Sequence, residues 1–138
     1  MSENNKFSKL NHCVYALLYH LVLVTNDRRR CLSAPMLDRV REIAAARCDG
    51  WGGTLLEMIG EPDYVHFLIA LPPNLELSNF VNNLKTTTSR LVRKEFADHL
   101  ASVYREPVLW SRSYCIVSGG GAPLSIITQY LEQQERPE

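Results

Sequence analysis

From Cys13 to Thr25 the chain is apolar on both alternating faces: Val14, Ala16 and Leu18 fall on one side, Tyr15, Leu17 and Leu21 on the other. A strand that is apolar on both faces belongs in the middle of a sheet. The downstream segments supply the rest of such a sheet. Ser33 and Pro35 open a helix that runs to about Arg47, with Met36, Val40, Ile43 and Ala44 on its inner face. Asp49-Gly50 and Gly52-Gly53 stop it. Thr54 to Ile59 reads as a second strand, Gly60 to Asp63 as a four-residue turn, and Tyr64 to Leu71 as a third strand ended by Pro72-Pro73-Asn74. A long helix capped by Ser78 extends to about Phe96, with Val81, Leu84 and Leu91 at helical spacing and Lys85, Ser89 and Arg93 aligned on another face. An irregular stretch holding His99, Tyr104, Pro107 and Trp110 leads to a last strand, Ser113 to Ser118. Gly119-Gly120-Gly121 then connects to a terminal helix with Pro123 in its first turn. The order strand, helix, strand, strand, helix, strand, helix predicts an α+β fold. It is a ferredoxin-like split β-α-β sandwich, an antiparallel sheet with helices on one face plus a C-terminal helix.

At 138 residues the chain is expected to form one domain over 1–138, with the polar segment 1–11 flexible. No apolar run reads as a membrane span, and Met1 to Asn11 lacks the apolar middle of a signal peptide. Cys13, Cys31, Cys48 and Cys115 are scattered without paired metal-ligand spacing, which predicts reduced thiols in a cytoplasmic protein. Fifteen basic residues offset fifteen acidic ones, so the whole-chain charge does not favour nucleic acid. Distribution says more. Arg28-Arg29-Arg30 form one basic knot, and Lys85, Arg90, Arg93 and Lys94 form another.

Side-chain alternation puts Tyr64, His66 and Leu68 on the face opposite the apolar set Val65, Phe67 and Ile69. A four-residue turn would set Glu57 opposite His66. On the terminal helix Tyr130 and Gln134 lie one above the other, beside an apolar stripe of Leu124, Ile127 and Leu131. A phenol, a histidine, an amide and a glutamate converging on one point would suit a nucleophile beside an oxygen-preferring divalent cation. Each part has a plainer reading. A lone histidine on a half-buried strand is more often a hydrogen-bonded structural residue, and a tyrosine on an amphipathic helix usually packs.

Several segments shift that balance. Tyr19-His20-Leu21-Val22 precedes the arginine cluster. Asp63 to Ile69 and Asn83-Leu84-Lys85-Thr86-Thr87-Thr88-Ser89-Arg90 come next, then Leu109 to Cys115, Gly119 to Pro123, and Gln129 to Gln134. In this order they resemble the small single-tyrosine transposases of the HUH endonuclease superfamily, found in bacterial insertion sequences, and they cover nearly the whole chain after Asn11. The resemblance implies an enzyme that recognises hairpins at the ends of a mobile element and cuts and rejoins single-stranded DNA there. Tyr130 would be the nucleophile, joined to a 5′ phosphate with release of a 3′ hydroxyl. Mg2+ or Mn2+ would be held by His66 and Gln134. Lys85, Ser89, Arg90 and Arg93 would contact DNA, with Arg28, Arg29, Arg30 and Arg112 as further candidates. Members of this kind act as homodimers in which the tyrosine helix of one subunit completes the other's site, and the bacterial host places them with the nucleoid when bound to DNA.

One position departs from the pattern. The family's ligand motif is two histidines flanking one apolar residue, and the first of these is Tyr64 here. A phenol is protonated at neutral pH and is a weak ligand for magnesium. Water or Glu57 would fill the gap. The substitution leaves three readings: a transposase with an impaired metal site, a hairpin-binding protein without catalysis, and an unrelated ferredoxin-like module. The last is disfavoured because the chain lacks the aromatic strand motif of an RNA-recognition domain.

Overall fold

The computed structural model describes residues 8–10, 13–15, 17–119 and 124–134. Among the described residues, six strands and four α-helices occur in the order β1 (Ser8–Leu10), β2 (Cys13–Tyr15), β3 (Leu17–Val24), α1 (Ala34–Gly50), β4 (Thr54–Glu61), β5 (Tyr64–Leu71), α2 (Leu77–Glu95), α3 (Ala97–Ala101), β6 (Cys115–Ser118) and α4 (Leu124–Gln134), with a single 3-10 turn at Asn26–Arg28 after β3. The main sheet runs β4-β5-β3-β6 and is antiparallel throughout. That is the ferredoxin-like arrangement expected from the element order, with β3 in the interior. The apolar segment that begins at Cys13 is shared between two sheets. Cys13–Tyr15 pairs with Ser8–Leu10 in a separate ribbon, and only Leu17–Val24 enters the main sheet.

Burial explains why β3 is apolar on both faces. Leu21 and Leu23 join Val65, Phe67, Ile69 and Leu71 of β5 against Met36, Val40, Ile43 and Ala44 of α1 and Phe80, Val81, Leu84 and Val92 of α2. On the other face Val22 and Val24 lie under Ile127 of α4, with Tyr64, Cys115, Tyr130 and Leu131 around them. Burial alternates strictly along β5, its even-numbered residues being half-buried and its odd-numbered ones buried. The helical stripe read for α1 is likewise the buried one, and Ser33 caps it by accepting from the Met36 amide at 3.4 Å.

Several boundaries differ from the sequence reading, and α1 runs on through Gly50 instead of ending near Arg47. The β4–β5 turn is two residues, Pro62 and Asp63, because Glu61 stays in the ladder opposite Tyr64. Ser78 lies inside α2, which starts at Leu77 after Glu76. The irregular stretch contains the short helix α3, whose Leu100 enters the core. The last strand begins at Cys115 instead of Ser113. Gly120 to Pro123, expected as a linker and first helical turn, lie outside the described residues. No helix among the described residues is long and apolar enough to cross a membrane. Cys31, Cys48 and Cys115 are free thiols, and burial pushes Cys48 up to about 12.

Candidate active site

The face of the sheet opposite α1 and α2 carries His20 and Val22 from β3 and Tyr64, His66 and Leu68 from β5. With the shorter turn, His66 pairs with Ile59 and Glu57 pairs with Leu68. Glu57 therefore sits two residue pairs further along β5 than the expected register, on the same face and diagonal to the imidazole. His66, His20, Glu57, Ile59 and Leu68 still enclose one small cavity of about 30 Å³.

His20 enters the sequence pattern only as part of a motif, yet it is the side chain that meets His66. Its Nδ1 lies 3.0 Å from His66 Nε2. The ring centres are 5.2 Å apart, close to that separation plus the two ring radii, so both nitrogens lie nearly on the line between the rings. That is the geometry of one shared N–H···N hydrogen bond. His20 is 6% exposed, and its Nε2 is buried without a partner among the described residues. Burial and then the neighbouring His20 lower the His66 pKa, while Glu57 opposes the shift.

Tyr130 projects from α4 onto the same face. Its Oη is 2.9 Å from the Ser113 hydroxyl, whose Oγ is 3.4 Å from that of Ser111. Burial raises the phenol pKa and the Ser113 bond opposes it, so the docked phenol is protonated at neutral pH. Arg28 fixes α4 from below. Its Nη1 donates to the Leu131 carbonyl at 2.6 Å and its Nε to Asp63 Oδ2 at 2.7 Å, with the guanidinium 5.7 Å from the Tyr64 ring centre. The sheet thus brings His66, Tyr64 and Glu57 to one face and docks Tyr130 there. Gln134 is half-buried at the end of α4, and among the described residues it makes no side-chain hydrogen bond to His66.

The sequence profile described as "Transposase IS200 like" matches residues 13–134, most of the chain and every element of this site. The chain belongs to the IS200-like transposase family. It is 28% identical over 125 residues to the transposase of insertion sequence element IS200 from Salmonella typhimurium, covering 91% of this chain and 81% of that one. It is 27% identical to the ISDra2 transposase TnpA of Deinococcus radiodurans, covering 91% of this chain and 89% of that one. A crystal structure from Deinococcus radiodurans R1, described as that of a transposase, superposes with a TM-score of 0.82 at 31% identity, over 92% of this chain and 97% of that one. A REP-associated tyrosine transposase bound to a REP hairpin shares the fold, with a TM-score of 0.54 at 11% identity over 84% of this chain and 61% of that one.

Position 64, where the resemblance implies a histidine, holds Tyr64. The ring packs under α4 with Ile127, Tyr130 and Leu131, and burial followed by Glu61 and Asp63 raises its pKa. A protonated phenol in that seat is no substitute for an imidazole lone pair. His66 Nε2 is already in a hydrogen bond, and among the described residues no group of three His, Cys, Asp or Glu side chains is placed to hold a metal ion. The donor set does not fit a two-imidazole site for Mg2+ or Mn2+.

The basic residues read as candidate DNA contacts divide into two sets. Ser89 accepts from Arg93 Nε at 3.0 Å, and Lys85, Ser89, Arg90 and Arg93 line a cavity of about 350 Å³ on α2. The Lys85 ammonium donates to the Ser111 and Arg112 carbonyls at 2.8 and 2.9 Å, tying α2 to the segment before β6. Burial lowers its pKa. The arginine knot lies elsewhere. Arg28 is absorbed by Asp63, Arg30 reaches the same carboxylate at 3.9 Å, and Arg29 lies 5.9 Å from the Tyr104 ring centre. Arg112 is exposed. Trp110 does not face solvent. It donates to Thr88 Oγ1 at 2.8 Å and is 7% exposed.

Proposed function

We propose that this chain is a transposase that binds hairpin ends of a mobile element and cleaves and rejoins single-stranded DNA through Tyr130. The observation that carries the reading is Tyr130 itself, docked beside Ser113 on the face that bears His66, within a family match spanning the whole site. In the cleavage step Tyr130 Oη attacks phosphorus and the bond from phosphorus to the 3′ oxygen breaks. The 3′ oxygen leaves as a hydroxyl after taking a proton, and the phenolic proton departs through the Ser113 hydroxyl to solvent. The 5′ phosphate stays esterified to tyrosine, which conserves the phosphodiester for attack by an incoming 3′ hydroxyl. Lys85, Arg90 and Arg93, with Ser89, hold the phosphate backbone along α2. The active unit is a homodimer in which α4 of one subunit serves the other.

Tyr64 favours a second reading, in which the fold binds hairpins but cleaves weakly or not at all. Its ring fills the seat of the expected imidazole, and His66 is committed to His20. One experiment separates the two. The chain is incubated with a single-stranded element end and Mn2+, and covalent protein–DNA adducts are resolved on a denaturing gel. The first reading expects an adduct that disappears in Tyr130→Phe. Hairpin retention without any adduct supports the second, and neither retention nor adduct would remove both.

A further inference from the structure

Lys85 and Ser113 belong to different elements, yet one short segment joins them. Trp110 forms an isolated bridge with Thr25, β6 begins at Cys115, and Ser111 to Tyr114 lie between these points, outside the strands. The start of the segment is pinned to β3, where the Ser111 amide donates to the Val24 carbonyl at 2.7 Å. The rest is gripped by α2. Lys85 and Thr88 stand three residues apart and therefore on one face of that helix. Thr88 Oγ1 accepts from the Trp110 ring N–H at 2.8 Å, and the Lys85 ammonium donates to the Ser111 and Arg112 carbonyls. The successive residues Trp110, Ser111 and Arg112 are thus each held by α2.

The last of these bonds acts on Ser113 directly. A peptide unit is planar, so the Arg112 carbonyl and the Ser113 amide move as one body. Lys85 holds the carbonyl edge at 2.9 Å, and Ser111 Oγ accepts from the amide edge at 3.4 Å. With both edges fixed, Ser113 keeps its Oγ 2.9 Å from Tyr130 Oη although the residue is exposed. Lys85 differs in this from Arg90 and Arg93. Two of its three ammonium protons go to carbonyls, and its Nζ lies 5.5 Å from the centre of the half-buried Tyr114 ring. Among the described residues it pairs with no carboxylate. Half-burying an ammonium is costly unless its protons are bonded, and the bonds made here go to the segment that carries Ser113.

We propose that Lys85 is a positioning residue for the nucleophile, setting the Ser113 hydroxyl against Tyr130 by clamping the Arg112–Ser113 peptide. This role rests on the reading that Tyr130 attacks the DNA, and it links the phosphate-holding helix α2 to the phenol. Ser113 belongs with the sheet that receives α4, so the clamp operates whichever subunit supplies that helix. Without Lys85 the carbonyl edge is released, Ser113 is free to turn, and the phenol loses the acceptor for its proton.

The test makes two measurements on the full chain. In the first, adduct formation on a single-stranded element end with Mn2+ is followed in single turnovers at saturating DNA. Lys85→Met, which keeps the packed stem, and Ser113→Ala are each expected to slow the step by about tenfold or more, as misplacing a reacting group does. Both remove the same contact, so the double variant should be no slower than Ser113→Ala alone. Lys94→Met, an equal loss of charge at an exposed position in the last turn of α2, should leave the rate unchanged. In the second, tyrosine rings are labelled with carbon-13 and the DNA-free chain is observed by NMR, with Tyr130 assigned by its loss in Tyr130→Phe. Lys85→Met should move the Tyr130 signal in the direction that Ser113→Ala moves it, and leave that of buried Tyr104 in place. Rate losses that multiply in the double variant overturn the positioning role, as does a Lys85→Met chain altered only in the DNA concentration needed for saturation. A Tyr130 signal that responds to Ser113→Ala and not to Lys85→Met overturns it too. An unsubstituted chain that forms no adduct overturns the nucleophile reading, and the NMR arm then still decides whether Lys85 sets the contact between Ser113 and Tyr130.

Discussion

Tyr64 stands where the resemblance calls for a histidine, and its ring is engaged in packing under Ile127, Tyr130 and Leu131. Restoring an imidazole there removes part of the seat of α4 and adds a neutral nitrogen two residues from His66. Tyr64→His is therefore expected to raise Mn2+-dependent cleavage of a single-stranded element end by about tenfold or more, the scale on which metal-site changes act. A robustly cleaving original chain with no gain in the variant would sink the idea that position 64 impairs the site. His20 governs the other half of this face. The folded pKa of His66 lies below its unfolded value, first through burial and then through His20. As pH falls below about 6.5 the unfolded chain takes up a proton before the folded one does. The contribution is thus intact above that pH and is lost as pH drops through the folded value. His20→Gln removes the second cause, so the His66 midpoint should rise in an NMR titration and the loss of stability in acid should shrink. A midpoint that falls or stays put would leave the His20 contact without electrostatic weight.

Elements whose pattern is local are legible in the sequence by themselves. The alternation of β5 and the stripe Met36, Val40, Ile43 and Ala44 on α1 depend only on strand and helix periods, and burial obeys both. The hairpin register is not legible in this way. Gly60-Glu61-Pro62-Asp63 reads as four turn residues, but extending the ladder to the Glu61–Tyr64 pair shortens the turn to Pro62-Asp63 and moves Glu57 two pairs away from His66. The His20–His66 bond joins residues 46 apart in sequence and has no local signature. Arg28 misleads for the same reason. It reads as one member of a surface knot, yet its side chain is 15% exposed and reaches α4 across more than a hundred residues. It does so from a left-handed backbone, with φ 55° after Asp27 at φ 58°, a conformation that non-glycine residues adopt at a cost. That cost is offset by the Asp63 pair and the Leu131 carbonyl. Arg28→Ala leaves the Asp63 carboxylate in a nearly closed pocket with only the distant, exposed Arg30, and the expected loss is about 3 kcal/mol. Hydrogen exchange should quicken in α4 more than in α1. Equal changes in both helices would mean that Arg28 supports the fold as a whole and does not serve as a specific clamp.

For the molecule as a whole, the deciding question is whether the phenol and the sheet that form one site belong to one chain. Within the single chain α4 lies on its own sheet, with Ile127 on Val22 and Val24 and Leu131 tied to Arg28. The connection into α4 begins at Gly119, whose φ of 117° is a conformation glycine tolerates and other residues rarely do, and Gly120 and Gly121 come directly after it in sequence. A helix that covers only the small second cluster can make the same contacts on a partner's sheet, since exchange replaces each contact by its copy. Complementation tests the dimer directly. Tyr130→Phe supplies an intact sheet without a nucleophile, and His66→Ala supplies the reverse. If α4 works across subunits, a mixture of the two inactive chains contains heterodimers with one wholly intact site, in about a quarter of all sites after random reassortment. The DNA adduct would then form on the His66→Ala chain alone, which a size tag on one partner identifies. If α4 serves its own sheet, each site in every heterodimer keeps one defect and no adduct returns. A mixture that stays silent while either chain forms dimers with the unsubstituted protein would assign Tyr130 to the site of its own chain.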